Sequence, residues 1–203
     1  FGNDVFNNAT ALTGFVIPDG TTAISAKMFY ACKSLTTITI PASVTTIGSS
    51  AFADCSALES VSFATDEGYS KVSKIDPSAF VNTALKSFVF PTREKNAAIT
   101  LGASLFQGCK LLETVTLSPS VKKIDGLFTG CYSIVSMGTA GTDFAVDSSG
   151  RILCNAKLTS YLYAFRPIEG ELTIDNTILE IGTNAFTGQM GLTSVIIPAS
   201  VQK

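Results

Sequence analysis

Five cysteines, Cys32, Cys55, Cys109, Cys131 and Cys154, and the absence of histidine from 203 residues set narrow limits on chemistry. Without imidazole there is no Ser-His-Asp or Cys-His relay, and a zinc site would need thiolates and carboxylates alone. No pair of cysteines has the C-x-x-C spacing that begins such a site. Four of them recur at one position of a repeat, which predicts a buried ladder of small apolar side chains. Neighbours such as Cys32/Cys55 or Cys109/Cys131 come close in that ladder, but with parallel rather than facing side chains, which disfavours a disulfide. Glu169 and Glu171 are of the type used as a glycosidase pair. No pocket or pKa-raising group accompanies them, so a solvated strand edge is expected. Asp143, Asp147 and Ser148 near Gly150 carry oxygen ligands without EF-hand spacing and read as a turn. Asn8-Ala9-Thr10 fits a glycosylation sequon, a short pattern that arises readily by chance. Tyr161, Tyr163, Phe165 and Arg166 gather the side chains that anchor tight interfaces, and they serve equally well to pack their own segment. Catalytic, metal and cofactor sites are therefore not expected.

The elements that would position these groups follow from a period. Leu12, Leu35 and Leu58 lie 23 residues apart, a spacing that marks a solenoid. Residues 35–57, LTTITIPASVTTIGSSAFADCSA, are the clearest copy. In LTTITI, Ile38 and Ile40 alternate with threonines, as in a half-buried strand. Pro41 cannot donate to a ladder and ends it. Val44 and Ile47 carry a second short extended piece. Gly48 is expected to supply a turn at low steric cost, and Ala51, Phe52 and Cys55 one short helical turn with its apolar side inward. One such coil leaves apolar surface on both faces, and stacking covers it.

Whole repeats are expected at about 12–34, 35–57, 58–84, 85–111, 112–133 and 169–191, with partial ones at 1–11 and 192–203. Inserts around Asp66-Glu67-Gly68-Tyr69 and Arg93-Glu94-Lys95-Asn96 fall at one site per repeat and read as loops on one face. The pattern breaks at about 134–168, where residues 138–141 read as a loop. There FAVD, a Ser-Ser-Gly turn, RILC and LTSYLYAF suggest a β-hairpin or three-stranded meander projecting from the coil. Phe29, Phe52, Phe80, Phe106, Phe128 and Phe186 share one repeat position and are expected in the core. A chain broken off mid-repeat at both ends reads as part of a longer array.

Outward strand positions form rows: Thr37 and Thr39, Ser60 and Ser62, Ser87 and Val89, Thr114 and Thr116. They read as a solvated β face, or as a flat surface on which a protein or glycan lies. The net charge is −2, with 14 basic and 16 acidic residues spread along the chain, which argues against a nucleic-acid surface or a polybasic membrane segment. No apolar run approaches the length of a spanning helix, so no direct membrane insertion is expected.

IPASVTTIGSSAFADCSAL, repeated as IPDGTTAISAKMFYACKSL and resumed in IIPASV, resembles the BspA-like (Treponema-type) leucine-rich repeats of bacterial surface proteins, and FAVDSSGRIL…LYAF resembles the hairpin often inserted among them. The resemblance implies an α/β solenoid, a right-handed superhelix of parallel β-strands, short helical turns and a β-hairpin insert. It further implies secretion or cell-surface display and a non-enzymatic role in adhesion or protein binding. The expected partner is an extracellular or host protein. A glycan-binding module, or a structural spacer presenting another domain, stands as the alternative. The residues expected to meet a partner are Thr37, Thr39, Ser60, Ser62, Ser87, Thr114, Thr116, Tyr161, Tyr163 and Arg166.

Overall fold

The computed structural model describes residues 1–139 and 141–202. Ala140, inside the expected loop at 138–141, and Lys203, in the last partial repeat, lie outside the described residues. Two rows of parallel strands recur along the coil, each broken into shorter sheets. In the first, Thr37–Ile40 (β2) pairs with Ser60–Phe63 (β4), placing Thr37 beside Ser60 and Thr39 beside Ser62. Ser87–Val89 (β6), Thr114–Thr116 (β8) and Ser136–Gly138 (β9) continue it, and Gly170–Thr173 (β13) pairs with Leu192–Ile196 (β15). The second ladder is made of two-residue strands, Ala23–Ile24 (β1), Thr46–Ile47 (β3), Lys74–Ile75 (β5) and Thr100–Leu101 (β7). Ile38 and Ile40 are buried and their threonine neighbours exposed, as alternation requires.

The corner expected to hold a helical turn is built differently. Between Gly48 and Cys55, every second amide closes a local turn: Ala51 to Gly48, Ala53 to Ser50 and Cys55 to Phe52, at 3.2–3.3 Å. The amides between them reach the next coil, Ser50 to Pro77, Phe52 to Ala79 and Asp54 to Val81, at 2.8–3.1 Å. This alternation needs a left-handed residue twice per coil, four positions apart. Asp4/Asn8, Lys27/Ala31, Ser50/Asp54, Ser78/Asn82, Ser104/Gly108, Gly126/Gly130 and Asn184/Gly188 all have positive φ. Most are Asp, Asn, Ser or Gly, the types that tolerate this conformation best or hydrogen-bond locally within it. A helix would satisfy the amides within one coil. The turn chain shares them with the next coil and so extends the stack.

Gly48 also differs from expectation. It has no positive φ; its importance is closeness, since a Cβ there would lie 2.6 Å from the Ala26 nitrogen. At Gly102 a Cβ would overlap Pro77, whereas at Gly2 it would meet nothing within 4 Å. Glycine is used here where one coil rests on the main chain of another.

Inside, phenylalanines form a column. Phe6, Phe29, Phe52, Phe80, Phe106 and Phe128 stack with centroids 5.3–5.7 Å apart and planes within 15°. The next member is Tyr163, 5.6 Å from Phe128, and Phe186 lies outside the column in a second core with Tyr161.

The insert does not project. Phe144–Val146 (β10), Ile152–Asn155 (β11) and Ser160–Ala164 (β12) form an antiparallel meander, and β12 then pairs in parallel with Glu180–Ile181 (β14). Its third strand therefore takes the second-ladder place of its own coil. Alternate residues of β11 face different cores. Leu153 joins the long core of the preceding coils with Phe144 and Phe165, while Ile152 and Cys154 join Tyr161, Ala164, Ile174 and Ile178. The meander is a septum with two apolar faces, which is why its residues are buried.

Candidate functional site

The first-ladder face presents its hydroxyls as expected. Thr37, Thr39, Ser60, Ser62, Ser87, Thr114 and Thr116 are all exposed, in strict register, and Thr39 and Ser62 hydrogen-bond at 2.9 Å. Glu59 and Lys86 pair at 2.9 Å along the margin of this face, where solvent makes the pair nearly neutral in stability.

The insert residues go elsewhere. Tyr161 is 5% exposed and packs against Phe186, so it offers no surface to a partner. Tyr163 closes the phenylalanine column, and its hydroxyl donates to the Phe128 carbonyl at 3.2 Å. Burial pushes that phenol up from its ordinary value. Arg166 remains exposed, but its Nε donates to the Val135 carbonyl at 2.7 Å, next to the edge of β9. Asp147 ties the hairpin turn, accepting from the amides of Arg151 and Ile152.

The cysteine ladder is present and has a polar reason besides packing. Cys32, Cys55, Cys109 and Cys131 each donate S–H to the phenylalanine carbonyl of the preceding coil, at Phe6, Phe29, Phe80 and Phe106, over 2.9–3.2 Å. Where cysteine is missing, another donor stands in. Tyr163 serves Phe128, and the Gln189 amide donates to the Ala164 carbonyl at 2.9 Å. Thr83 turns back to its own coil and meets the Cys109 sulfur at 3.2 Å. All five cysteines are free. Burial pushes Cys55 and Cys154 up to about 12, and contact with the Cys109 sulfur, then burial, raises Cys131. Cys55, Cys131 and Cys154 are therefore protonated thiols at neutral pH, while the hydrogen bond with Cys131 shifts Cys109 downward. Among the described residues no group of three or more His, Cys, Asp or Glu side chains converges as metal ligands.

One concavity stands out where the stack is interrupted. A cleft of about 270 Å³ lies between Tyr132 and the 187–191 segment, with Tyr163, Pro167 and Glu169 on its walls. Tyr132 packs on Gly188, and the Glu169 carboxylate covers Gly191. Among the described residues no main-chain hydrogen bond joins the corner at 126–132 to that at 184–191. The Tyr163 hydroxyl and the Gln189 amide span the interval instead, and the cleft is what their reach leaves open.

The sequence profile of the BspA-type leucine-rich repeat region matches residues 1–97 and 157–203, in 6 copies. The chain belongs to the BspA-type leucine-rich repeat family. The interval between the matched segments contains the first two strands of the septum. Solved leucine-rich repeat proteins share the fold. A leucine-rich repeat protein from Eubacterium ventriosum is 21% identical over 97% of this chain and 50% of its own, with a TM-score of 0.80. A leucine rich cell surface protein from Faecalibacterium prausnitzii is 20% identical over 98% of this chain and 51% of its own (TM-score 0.60). The pneumococcal vaccine antigen PcpA is 22% identical over 89% of this chain and 44% of its own (TM-score 0.53). The chain thus spans about half the length of these proteins. No curated protein matches it.

Two residues of this BspA-type solenoid escape the sequence reading, Tyr132 and Met190, which are 54% and 89% exposed. Both follow the cysteine position, where Lys33, Ser56 and Lys110 are polar. A large apolar residue at a repeat position otherwise held by polar or small ones was the available signal.

Proposed function

We propose that this segment is a non-enzymatic binding module of a bacterial cell-surface or secreted protein, which holds a partner protein against its first-ladder face. The supporting observation is the register of that face. Thr37 stands beside Ser60 and Thr39 beside Ser62 on one exposed sheet, and Ser87 beside Thr114 and Val89 beside Thr116 on the next. Small side chains leave this surface open to a broad, complementary partner, and extended solenoid surfaces bind in this manner. The structural neighbours described as a cell surface protein and as a vaccine antigen support display outside the cell. Tyr161, buried, and Tyr163, engaged with Phe128, leave the glycan alternative without the two aromatic platforms it required.

The test is a quantitative pull-down from host extracellular fractions with the wild-type chain and a Thr37→Lys, Ser60→Lys, Thr114→Lys triple variant. The variant should keep its circular dichroism spectrum, since all three positions are exposed, and lose the captured proteins. Equal capture by both would move the binding surface off this face.

A further inference from the structure

The cleft at the septum carries chemistry that the strand face lacks. Glu169 is its single charged wall residue; no lysine or arginine lines it. The nearby Arg166 is held by the Val135 carbonyl and forms no wall of the cleft. Glu169 forms no salt bridge or side-chain hydrogen bond among the described residues, whereas its sequence neighbour Glu171 meets Ser194 at 3.3 Å. Gln189 is already satisfied at both ends, accepting from Ile168 N at 2.8 Å and donating to Ala164 O. The larger side chains on the other walls are Tyr132, Met190, Pro167, the buried Phe165 and the half-buried Tyr163, with Thr187 the remaining hydroxyl, a mostly apolar lining around one uncompensated carboxylate.

The complement to that arrangement is a cation at the end of an apolar stem. We propose that the cleft between Tyr132 and Glu169 receives a lysine side chain of a partner protein, with the methylene stem along Tyr132, Pro167 and Met190 and the ammonium at the Glu169 carboxylate. Long cationic side chains bury their stems and keep the charge at a polar rim, and an ammonium near a tyrosine face gains a further attraction. Lysine suits the space through its compact ammonium on an unbranched four-carbon stem. At about 270 Å³ the space falls just below the ~300–1,000 Å³ of ordinary small-molecule pockets, which suits a single side chain better than a whole ligand. The site exists because the septum interrupts the ladder, so the regular coils have no counterpart. It is separate from the first-ladder face, and its test stands whether or not that face binds.

The experiment is a titration of the isotope-labelled chain with the peptide acetyl-Gly-Lys-Gly-amide, followed by amide chemical shifts. Saturable shifts confined to Tyr132, Glu169 and residues 187–191 are expected. Glu169→Gln and Tyr132→Ala should each weaken binding about two- to five-fold, and Glu171→Gln should leave it unchanged. The same peptide with acetylated lysine should give no saturable shifts. Absence of saturation at millimolar peptide, shifts of equal size with acetyl-lysine, or equal weakening in Glu171→Gln would each overturn the proposal. Glu169, Glu171 and Tyr132 are exposed or half-exposed, and an otherwise unchanged amide spectrum shows that each variant is folded.

Discussion

The coils before the septum and those around it solve one problem, joining turn to turn, by different means. Through residues 12–133 the main chain does the joining. Alternate amides of each corner donate to the next coil, the phenylalanines stack near-parallel, and each thiol donates to a carbonyl one coil back. Around the septum few main-chain bonds remain along the corner, such as Ala164 N to Ala185 O at 2.7 Å, and single side chains take over much of the joining: Tyr163 for a cysteine and a phenylalanine at once, Gln189 for another cysteine, Arg166 at the edge of β9. A main-chain joint repeats with every coil and leaves little freedom to vary. A side-chain joint occurs once, and the unmatched spaces beside it, such as the Tyr132–Glu169 cleft, are where surface chemistry can become particular.

The largest effect expected on this comparison is alkaline unfolding, which both regions share because both bury thiols. Cys55 and Cys154 sit near 12 in the folded state against an ordinary 9.0, and Tyr163 is raised as well. A raised folded value favours the neutral form, so the stability these groups contribute is complete below about pH 9. It declines as pH rises and is lost through about 12. Circular dichroism against pH should show one loss of structure in that window, and a thiol reagent below pH 9 should leave the ladder cysteines unlabelled without denaturant. Early loss of the septum coils alone would separate the two regions.

Next in size, Phe80→Ala should cost about 3–5 kcal/mol in urea denaturation, since it removes a ring stacked on both sides in a sealed core. Phe186→Ala, outside the column and only partly buried, should cost clearly less. Equal costs would make the two cores equivalent. Gly102→Ala should destabilise by about 1–3 kcal/mol through overlap with Pro77, while Gly2→Ala stays within about 0.5 kcal/mol. Tyr163→Phe keeps the ring and removes the donor to Phe128, at a cost of about 1–2 kcal/mol, which would show how much of the side-chain joint is polar. Smallest, Ala31→Gly should stabilise by about 0.5–1 kcal/mol, because alanine there holds a φ of 55°.

How much of this was legible varies by residue. The strand at Thr37–Ile40 was readable because alternation and Pro41 leave one way to bury Ile38 and Ile40. The corner misled because Ala51, Phe52 and Cys55 have helix-like spacing. The pairing of Ser50 with Asp54, repeated as Ser78 with Asn82, was the better guide to its turns. Gly48 was expected to ease a turn, and only the adjacent Ala26 backbone reveals its use. Tyr161 read as a contact residue because a tyrosine beside others in an irregular stretch looks the same whether it faces solvent or a second core.

By itself the sequence determined everything that recurs: the period, the inward phenylalanines and cysteines, and the hydroxyl face, since a repeated pattern can bury its apolar positions only by stacking in phase. The tertiary structure alone decided what occurs once: that the insert divides the core instead of leaving it, that Tyr163 ends one column, and that Glu169 meets no cation among the described residues. Such outcomes depend on how far apart two coils are held when their ladder is broken, and that distance is set by contacts between segments that no local pattern relates.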